Sequence, residues 1–109
     1  MRYMLLVCHD ETFSPPESID ADTDAWVEEM ERRGVRKAGD ILRPASDATT
    51  VRVRSGEVLL SDGPFAETKE QVAGYDLIEC ADLDEAIEVA SKHPMAKAGM
   101  IEVRPFWEE

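Results

Sequence analysis

The chain has 109 residues, of which 43% are hydrophobic, and 24 acidic residues against 12 basic ones give a formal net charge of −12. This length suits one domain that buries a hydrophobic core without disulfides or metals. A protein this acidic is repelled by nucleic-acid phosphates and anionic membrane surfaces, so neither is an expected partner. Two cysteines, Cys8 and Cys80, are too few and too far apart for a disulfide framework or a zinc site, and we expect two free thiols.

The first half of the chain predicts a strand, a helix and a second strand. Residues 3–8 are apolar at every position, which is typical of a strand buried on both faces. This run is too short for a signal peptide or a membrane span, and we expect a cytoplasmic protein. Residues 22–33 predict a helix with acids in its first turn, arginines in its last turn and Gly34 as the stop. Residues 35–42 predict a strand that Gly39 weakens.

The second half predicts a hairpin and two further strands. Residues 49–54 alternate with period two, a turn at residues 55–56 follows, and residues 57–61 return. Residues 72–80 and 100–104 predict the last two strands. With the helix between them, the order is β-α-β, a hairpin, then β-α-β. This order predicts a ferredoxin-like α+β fold in a single domain, with the hairpin added between its two halves.

The helix between those last strands begins after Asp82, and Glu85 stands three residues later in a capping-box arrangement. We expect it to end at His93-Pro94, with His93 in its last turn. Trp26, in the first helix, and Trp107 are interpreted as packing residues. The apolar stripe of the second helix, expected to face the sheet, consists of Leu83, Ala86, Ile87 and Ala90.

Residues 62–71 carry the densest turn signals in the chain. Asp62-Gly63 predicts a turn, and Pro64 lacks the N–H that an aspartate usually binds two residues on. The Asp62 carboxylate therefore either bonds the N–H groups that follow, as a staple of the loop, or acts as an acid/base group at the mouth of a pocket. Phe65 can anchor the loop by burying its ring, and the short helical turn after it carries charges that include Lys69 and Glu70.

A family resemblance rests on this segment and on two others. Asp62-Gly63-Pro64-Phe65, Glu67-Thr68-Lys69-Glu70, Gly74-Tyr75 and Glu102-Val103-Arg104-Pro105 are similar to motifs of the YCII-related proteins of the DGPF branch. The resemblance extends from Tyr3 to Pro105. It implies a ferredoxin-like protomer that pairs into a dimeric α/β barrel, and hence a homodimer. Some relatives sit beside, or are fused to, extracytoplasmic-function sigma factors.

The chain departs from this family at one point that concerns catalysis. Members closer to the YCII type carry a histidine in the first helix, which pairs with an aspartate in a proposed catalytic dyad. Residues 22–33 contain no histidine. The dyad therefore cannot be transferred to this chain.

Candidate site residues follow from residue type and position. Asp62 and His93 are the catalytic candidates, because a carboxylate in a rigid loop and an imidazole that titrates near neutrality can move protons. Each also has a structural interpretation, as a loop staple and as a helix-end residue. Residues 9–11 are a weak metal site, because three consecutive residues of a strand do not converge on one ion. No metal or cofactor is predicted. The candidate ligand-binding residues are Tyr75, Lys69, Glu70, Phe65 and Arg104.

The strand patterns also predict an uncovered apolar face. Both parities of residues 3–8 are apolar, and so are both parities of residues 72–80. In a two-layer protomer the helices cover one face of the sheet only, so a second copy is the expected cover of the other. Two functions stay open: an enzyme that transfers protons on a small molecule, with Asp62, His93 and Tyr75 around a pocket between sheet and helices, and a non-catalytic ligand-binding or regulatory module, with a partner such as a sigma factor.

Overall fold

The computed structural model describes residues 1–63 and 70–108. Within these ranges no helix has both the length and the apolar character needed to cross a membrane. The elements, in chain order, are β1 (Arg2–His9), α1 (Ile19–Arg32), β2 (Arg36–Ile41), a 3-10 turn (Ala45–Asp47), β3 (Thr49–Arg54), β4 (Glu57–Asp62), β5 (Gln71–Glu79), α2 (Leu83–Ser91), α3 (Pro94–Ala98) and β6 (Met100–Pro105).

Four strands form one antiparallel sheet in the order β2-β5-β1-β6. If the hairpin is left out, this is the order in which a β-α-β-β-α-β chain builds the ferredoxin-like fold. The α+β ferredoxin-like prediction is therefore confirmed. β3 and β4 pair with each other in a separate two-stranded sheet, as predicted for an addition between the two halves.

The hydrophobic core lies between one face of the sheet and the helices. Tyr3 and Leu5 of β1 pair with core-face residues of β5, and Trp26 and Met30 of α1 are buried against the same cluster. Trp26 Nε1 donates a hydrogen bond to the carbonyl oxygen of Val89 in α2 at 3.0 Å, so the ring also joins the two helices. Trp107, by contrast, is exposed, and its interpretation as a packing residue was wrong.

Helix α1 begins at Ile19, three residues before the predicted start. The Ser18 hydroxyl donates to the Asp22 carboxylate at 2.8 Å, and the acids at positions 20 and 22 lie in the first turn, where the helix dipole favours them. The helix ends at Arg32, one residue before the predicted end, and the predicted stop, Gly34, adopts a φ of 72° that few other residues accept.

Helix α2 confirms the predicted start and corrects the predicted face. Asp82 accepts from the backbone N–H of Glu85 at 2.9 Å, and the Glu85 carboxylate accepts from Ala81. Leu83 and Ile87, however, are exposed, so the predicted stripe was wrong at these two positions. At 100° per residue the buried face is centred close to Ala86, and Ile87 lies about 100° away from that centre. The buried residues of α2 are Ala86, Val89 and Ala90.

His93 does not lie in the last turn of α2, as the sequence suggested. Helix α2 ends at Ser91, and His93 is the N-cap of α3, with Pro94 as the first helical residue. His93 Nδ1 accepts the backbone N–H of Met95 at 2.9 Å. The pattern missed α3 because five residues are too few to show a helical period.

The two cysteines are free, as predicted. Cys8 is near the C-terminal end of β1 and pairs with Val72, at the start of β5, while Cys80 directly follows β5. The N–H of Cys80 donates to the carbonyl of Met1, at the other end of β1. The antiparallel register therefore holds the thiols at opposite ends of the sheet.

Candidate functional site

A cavity of about 530 Å³ opens between α1 and the sheet. Its wall is largely apolar, with Val7, Phe13, Val27 and Met95 among the lining residues, and the Phe13 ring stacks on His9 at 4.5 Å between centroids. Asp76, Arg36 and His93 form a polar cluster in the lining. An apolar cleft with a few converging polar groups is the usual form of a small-molecule site.

Asp76 is the central group of this cluster. Strand alternation places it on the core face of β5, directly opposite Leu5 of β1, and it is 5% exposed. Its Oδ1 accepts from Arg36 Nε at 2.8 Å. Burial raises the pKa of the Asp76 carboxyl above its ordinary value, although the hydrogen bond and the charge of Arg36 act in the opposite direction. A carboxylate whose pKa is raised toward neutrality is a better proton acceptor than an exposed one.

Arg36 enters the cluster from β2 and makes two ion pairs, since its Nη1 also contacts Glu31 Oε1 at 2.8 Å. On the same strand, position 39 has no room for a side chain. A Cβ on Gly39 would collide with Asp76 Oδ1, and it would lie 2.5 Å from Arg36 Nη2 and 2.7 Å from the carbonyl oxygen of Tyr75. The glycine that the sequence marks as a weakness of β2 therefore makes room for the Arg36–Asp76 pair.

His93 completes the cluster and is 4% exposed. Burial, together with the nearby Arg36 charge, lowers the pKa of His93 to about 4, so the ring is neutral near neutral pH. Because Nδ1 accepts from the Met95 N–H, the proton of the neutral ring must lie on Nε2. Nε2 is 3.9 Å from Asp76 Oδ2, too far for a hydrogen bond, and it makes none to the residues described. His93 therefore presents an N–H donor, rather than a base, beside the Asp76 carboxylate.

The residues predicted from the sequence are only partly brought together. His93 and Tyr75 both line the cavity. Tyr75, however, pairs directly with Leu6 of β1 on the sheet face opposite to Asp76, so its backbone, not its hydroxyl, borders the cavity. Its interpretation as a residue that offers a hydroxyl to a ligand in this cavity is corrected accordingly.

The other candidates lie elsewhere. Asp62 is the exposed last residue of β4 rather than a loop residue, and it is not part of the cavity lining. Most of the loop that follows it lies outside the described residues, so its place at the rim of the pocket and its catalytic or stapling role stay predictions. Arg104 forms an ion pair with Glu102 on β6, away from the cavity, and Glu70 is exposed just before β5. Phe65 and Lys69 lie outside the described residues.

The sequence analysis missed Asp76 and Arg36. A usable signal was present, because Asp76 has the same parity as Ile78 and Cys80 in a strand whose core face is otherwise apolar. A lone acid at such a position is rarely buried without a partner. Arg36 had no comparable signal, since an arginine at the start of an edge strand is ordinarily solvated. Among residues 1–63 and 70–108, no three histidine, cysteine, aspartate or glutamate residues converge to hold a metal ion.

Comparison with known proteins gives a family and a distant structural likeness. The family model of the YCII-related domain matches residues 1–109. An uncharacterized protein of Rhizobium meliloti is 38% identical, and the alignment covers 97% of this chain and 92% of that protein. The chain is also similar to the solved structure of the 5-chloro-2-hydroxyhydroquinone dehydrochlorinase of Burkholderia phenoliruptrix in complex with 2,5-dihydroxybenzoquinone. That likeness has a TM-score of 0.48 and 16% identity, and it covers 100% of this chain and 96% of the other.

Proposed function

The chain belongs to the YCII-related domain family, and we propose that it is a small-molecule enzyme that acts by acid/base proton transfer, with Asp76 as the proton acceptor. One observation carries this proposal. A carboxylate that is almost fully buried, with its pKa raised by that burial, borders a cavity large enough for a small organic molecule. Buried carboxylates with raised pKa values in clefts are the groups that proton-transfer enzymes use.

The neighbours of Asp76 have complementary roles in this proposal. Arg36 holds Oδ1 through its Nε donor at 2.8 Å, which leaves Oδ2 to meet the ligand. His93 Nε2–H, 3.9 Å from Oδ2, is placed to donate to negative charge that develops on a substrate when its proton moves to Asp76. Asp76 then returns the proton to the same molecule at another atom or releases it. Arg36 is thus a positioning residue, and Asp76 and His93 are the groups that would touch the substrate.

The experiment starts from compounds that raise the melting temperature in a thermal-shift screen, because a ligand that binds only the folded state stabilises it. Each hit is incubated with protein in deuterated water, and exchange of its carbon-bound protons is followed by NMR. We expect exchange with the wild-type protein and a fall of about 10²–10⁴-fold in the rate with Asp76→Asn, the range of a lost general base. Asp84→Asn, an exposed aspartate of α2 outside the cavity lining, is the matched control.

Two outcomes would contradict the proposal. Exchange that survives in Asp76→Asn would remove Asp76 as the proton acceptor. Exchange lost in Asp62→Asn but kept in Asp76→Asn would support instead the role predicted for Asp62 from its loop. Both variants are aspartate-to-asparagine changes, so the comparison is balanced in size and charge.

A non-catalytic ligand-binding or regulatory module is the second candidate. The Arg36–Asp76 ion pair supports it, because a carboxylate already satisfied by an arginine at 2.8 Å can shape a pocket without taking up a proton. Ligands that bind and exchange no proton, in the wild-type protein and in Asp76→Asn alike, would favour this function. A sigma factor or a similar transcription protein would then be the partner to test by co-purification with the full chain.

A further inference from the structure

The polar end of the cavity holds two groups with opposite hydrogen-bonding needs. Asp76 Oδ2 is an acceptor, and His93 Nε2 carries the ring proton because Nδ1 is occupied by the Met95 N–H. The two atoms are 3.9 Å apart, so neither satisfies the other. Both residues line the cavity, so a ligand that hydrogen-bonds to both atoms gains affinity from each.

One ligand atom can serve both groups. An oxygen placed about 2.8 Å from each would meet them at an angle of about 90°, near the spread between the donor and acceptor directions of a hydroxyl. An ammonium group donates to the carboxylate but offers no acceptor to the imidazole. A carbonyl or a carboxylate accepts from the imidazole but brings oxygen lone pairs against Asp76. A hydroxyl both donates and accepts.

The charges around the cavity restrict the rest of the ligand. Asp20 and Asp24 of α1 also line the cavity and take part in no ion pair with a described residue. The cation of the cluster, Arg36, is already paired with Asp76 and Glu31. A negatively charged ligand would therefore meet acidic groups with no uncommitted cation in the cluster to offset them.

We infer that the cavity takes an uncharged or cationic organic molecule with a hydroxyl group, whose O–H donates to Asp76 Oδ2 while its oxygen accepts from His93 Nε2–H. This inference rests on the site of the proposed function and names its substrate class. The apolar wall, with Phe13 and Val27, suits a hydrocarbon or aromatic skeleton. When the hydroxyl proton passes to Oδ2, the electron pair of the O–H bond stays on the oxygen, which keeps the hydrogen bond from His93.

Three probes with related aromatic skeletons test the inference. Tyramine carries a hydroxyl and a cation, 2-phenylethylamine lacks the hydroxyl, and 4-hydroxyphenylacetate replaces the cation by an anion. Binding is measured by NMR titration up to about 10 mM, a range suited to the millimolar affinity of fragments this small. We expect tyramine to shift cavity resonances and to bind at least about tenfold more tightly than either analogue. 2-Phenylethylamine leaves the charged Asp76 acceptor unpaired, and 4-hydroxyphenylacetate brings an anion against the acids of α1.

Two substitutions link the preference to named atoms. His93→Asn places a side-chain oxygen where Nδ1 accepts from Met95 and has nothing at the Nε2 position. It should therefore keep the cap of α3 and weaken the preference for the hydroxyl, of which only the bond to Asp76 remains. Asp24→Asn removes one acidic group from the lining and should therefore reduce the difference in affinity between tyramine and 4-hydroxyphenylacetate. Glu28→Gln, the same charge change on α1 outside the cavity lining, should leave that difference unchanged.

The inference is overturned if 2-phenylethylamine binds as tightly as tyramine, if the anion binds best, or if no probe shifts a cavity resonance. These are binding measurements and need no turnover. If the probes show no hydroxyl preference but proton exchange depends on Asp76, the substrate class is rejected and the proposed enzyme is kept. The reverse pattern, a hydroxyl preference without proton exchange, would keep the substrate class and reject the enzyme.

Discussion

Acidification should destabilise this protein through the imidazole of His93. The unfolded ring titrates with an ordinary pKa of 6.5, and burial lowers the folded pKa to about 4. The unfolded state therefore binds the proton first as the pH falls, so the contribution of His93 is complete above the unfolded pKa and is lost between the two values. Linkage gives a loss of about 2 kcal/mol of unfolding free energy near pH 5 and about 3 kcal/mol near pH 4.

The measurement compares wild-type protein with His93→Asn by urea denaturation from neutral pH to about pH 4, at one protein concentration so that any association contributes equally. The comparison is needed because Asp76 acts with the opposite sign. Its raised pKa makes the folded carboxyl take up a proton more readily than the unfolded one, which adds stability in acid. The asparagine keeps an acceptor for the Met95 N–H and does not titrate, so subtraction isolates the imidazole.

We expect the stability advantage of the wild type over His93→Asn to shrink by about 3 kcal/mol between neutral pH and about pH 4. An advantage that changes by less than about 0.5 kcal/mol over this range would mean that the imidazole titrates alike in both states. Burial of the neutral ring would then be refuted as a source of acid sensitivity.

Two further predictions follow from the sheet. Gly39→Ala should destabilise the fold by about 1–3 kcal/mol and lower the affinity of any cavity ligand, because the added methyl group collides with the Arg36–Asp76 pair. Lys37→Ala, on the same strand, should change stability by less than about 0.5 kcal/mol. Equal effects of the two substitutions in urea denaturation would refute the packing argument. Sedimentation equilibrium at micromolar protein should report twice the 12.2 kDa chain mass. The molecule is only 19 Å thick, and the helices cover one face of the sheet. The other face, with Leu6 and Leu77, is left for a second copy to cover. A monomer at that concentration would exclude the dimeric barrel.

The sequence predicted the fold more fully than the cavity. Hydrophobic period and turn residues recovered the six strands of the described residues. They also pointed to the strand order, because each core strand carries its own pattern and the ferredoxin-like connection allows few alternatives. The ends of α1 and α2 were predicted less accurately than their presence. Helix α1 begins three residues before its predicted start, beside the Ser18–Asp22 hydrogen bond.

The cavity was harder to predict because its polar groups come from distant parts of the chain. Arg36 and Asp76 are 40 residues apart and meet only through the pairing of β2 with β5. His93 was recognised as a candidate, but its protonation depends on one backbone N–H of a helix that the pattern does not show. Asp62 was favoured because turn residues are conspicuous, whereas a single acid within an apolar strand is easily passed over.

The point where the hairpin joins the core sheet separates the family motif from the polar cluster of the cavity. Ile41 is paired with Gly74, and the N–H of Leu42 donates to the carbonyl of Ala73 at 2.8 Å, so the chain leaves the core sheet and returns to it at neighbouring positions. The segment between them, residues 43–70, includes the tetrapeptide of the DGPF branch. The cluster of Arg36, Asp76 and His93 lies wholly outside it. The motif that carries the family resemblance therefore supplies none of the three polar side chains of the cluster.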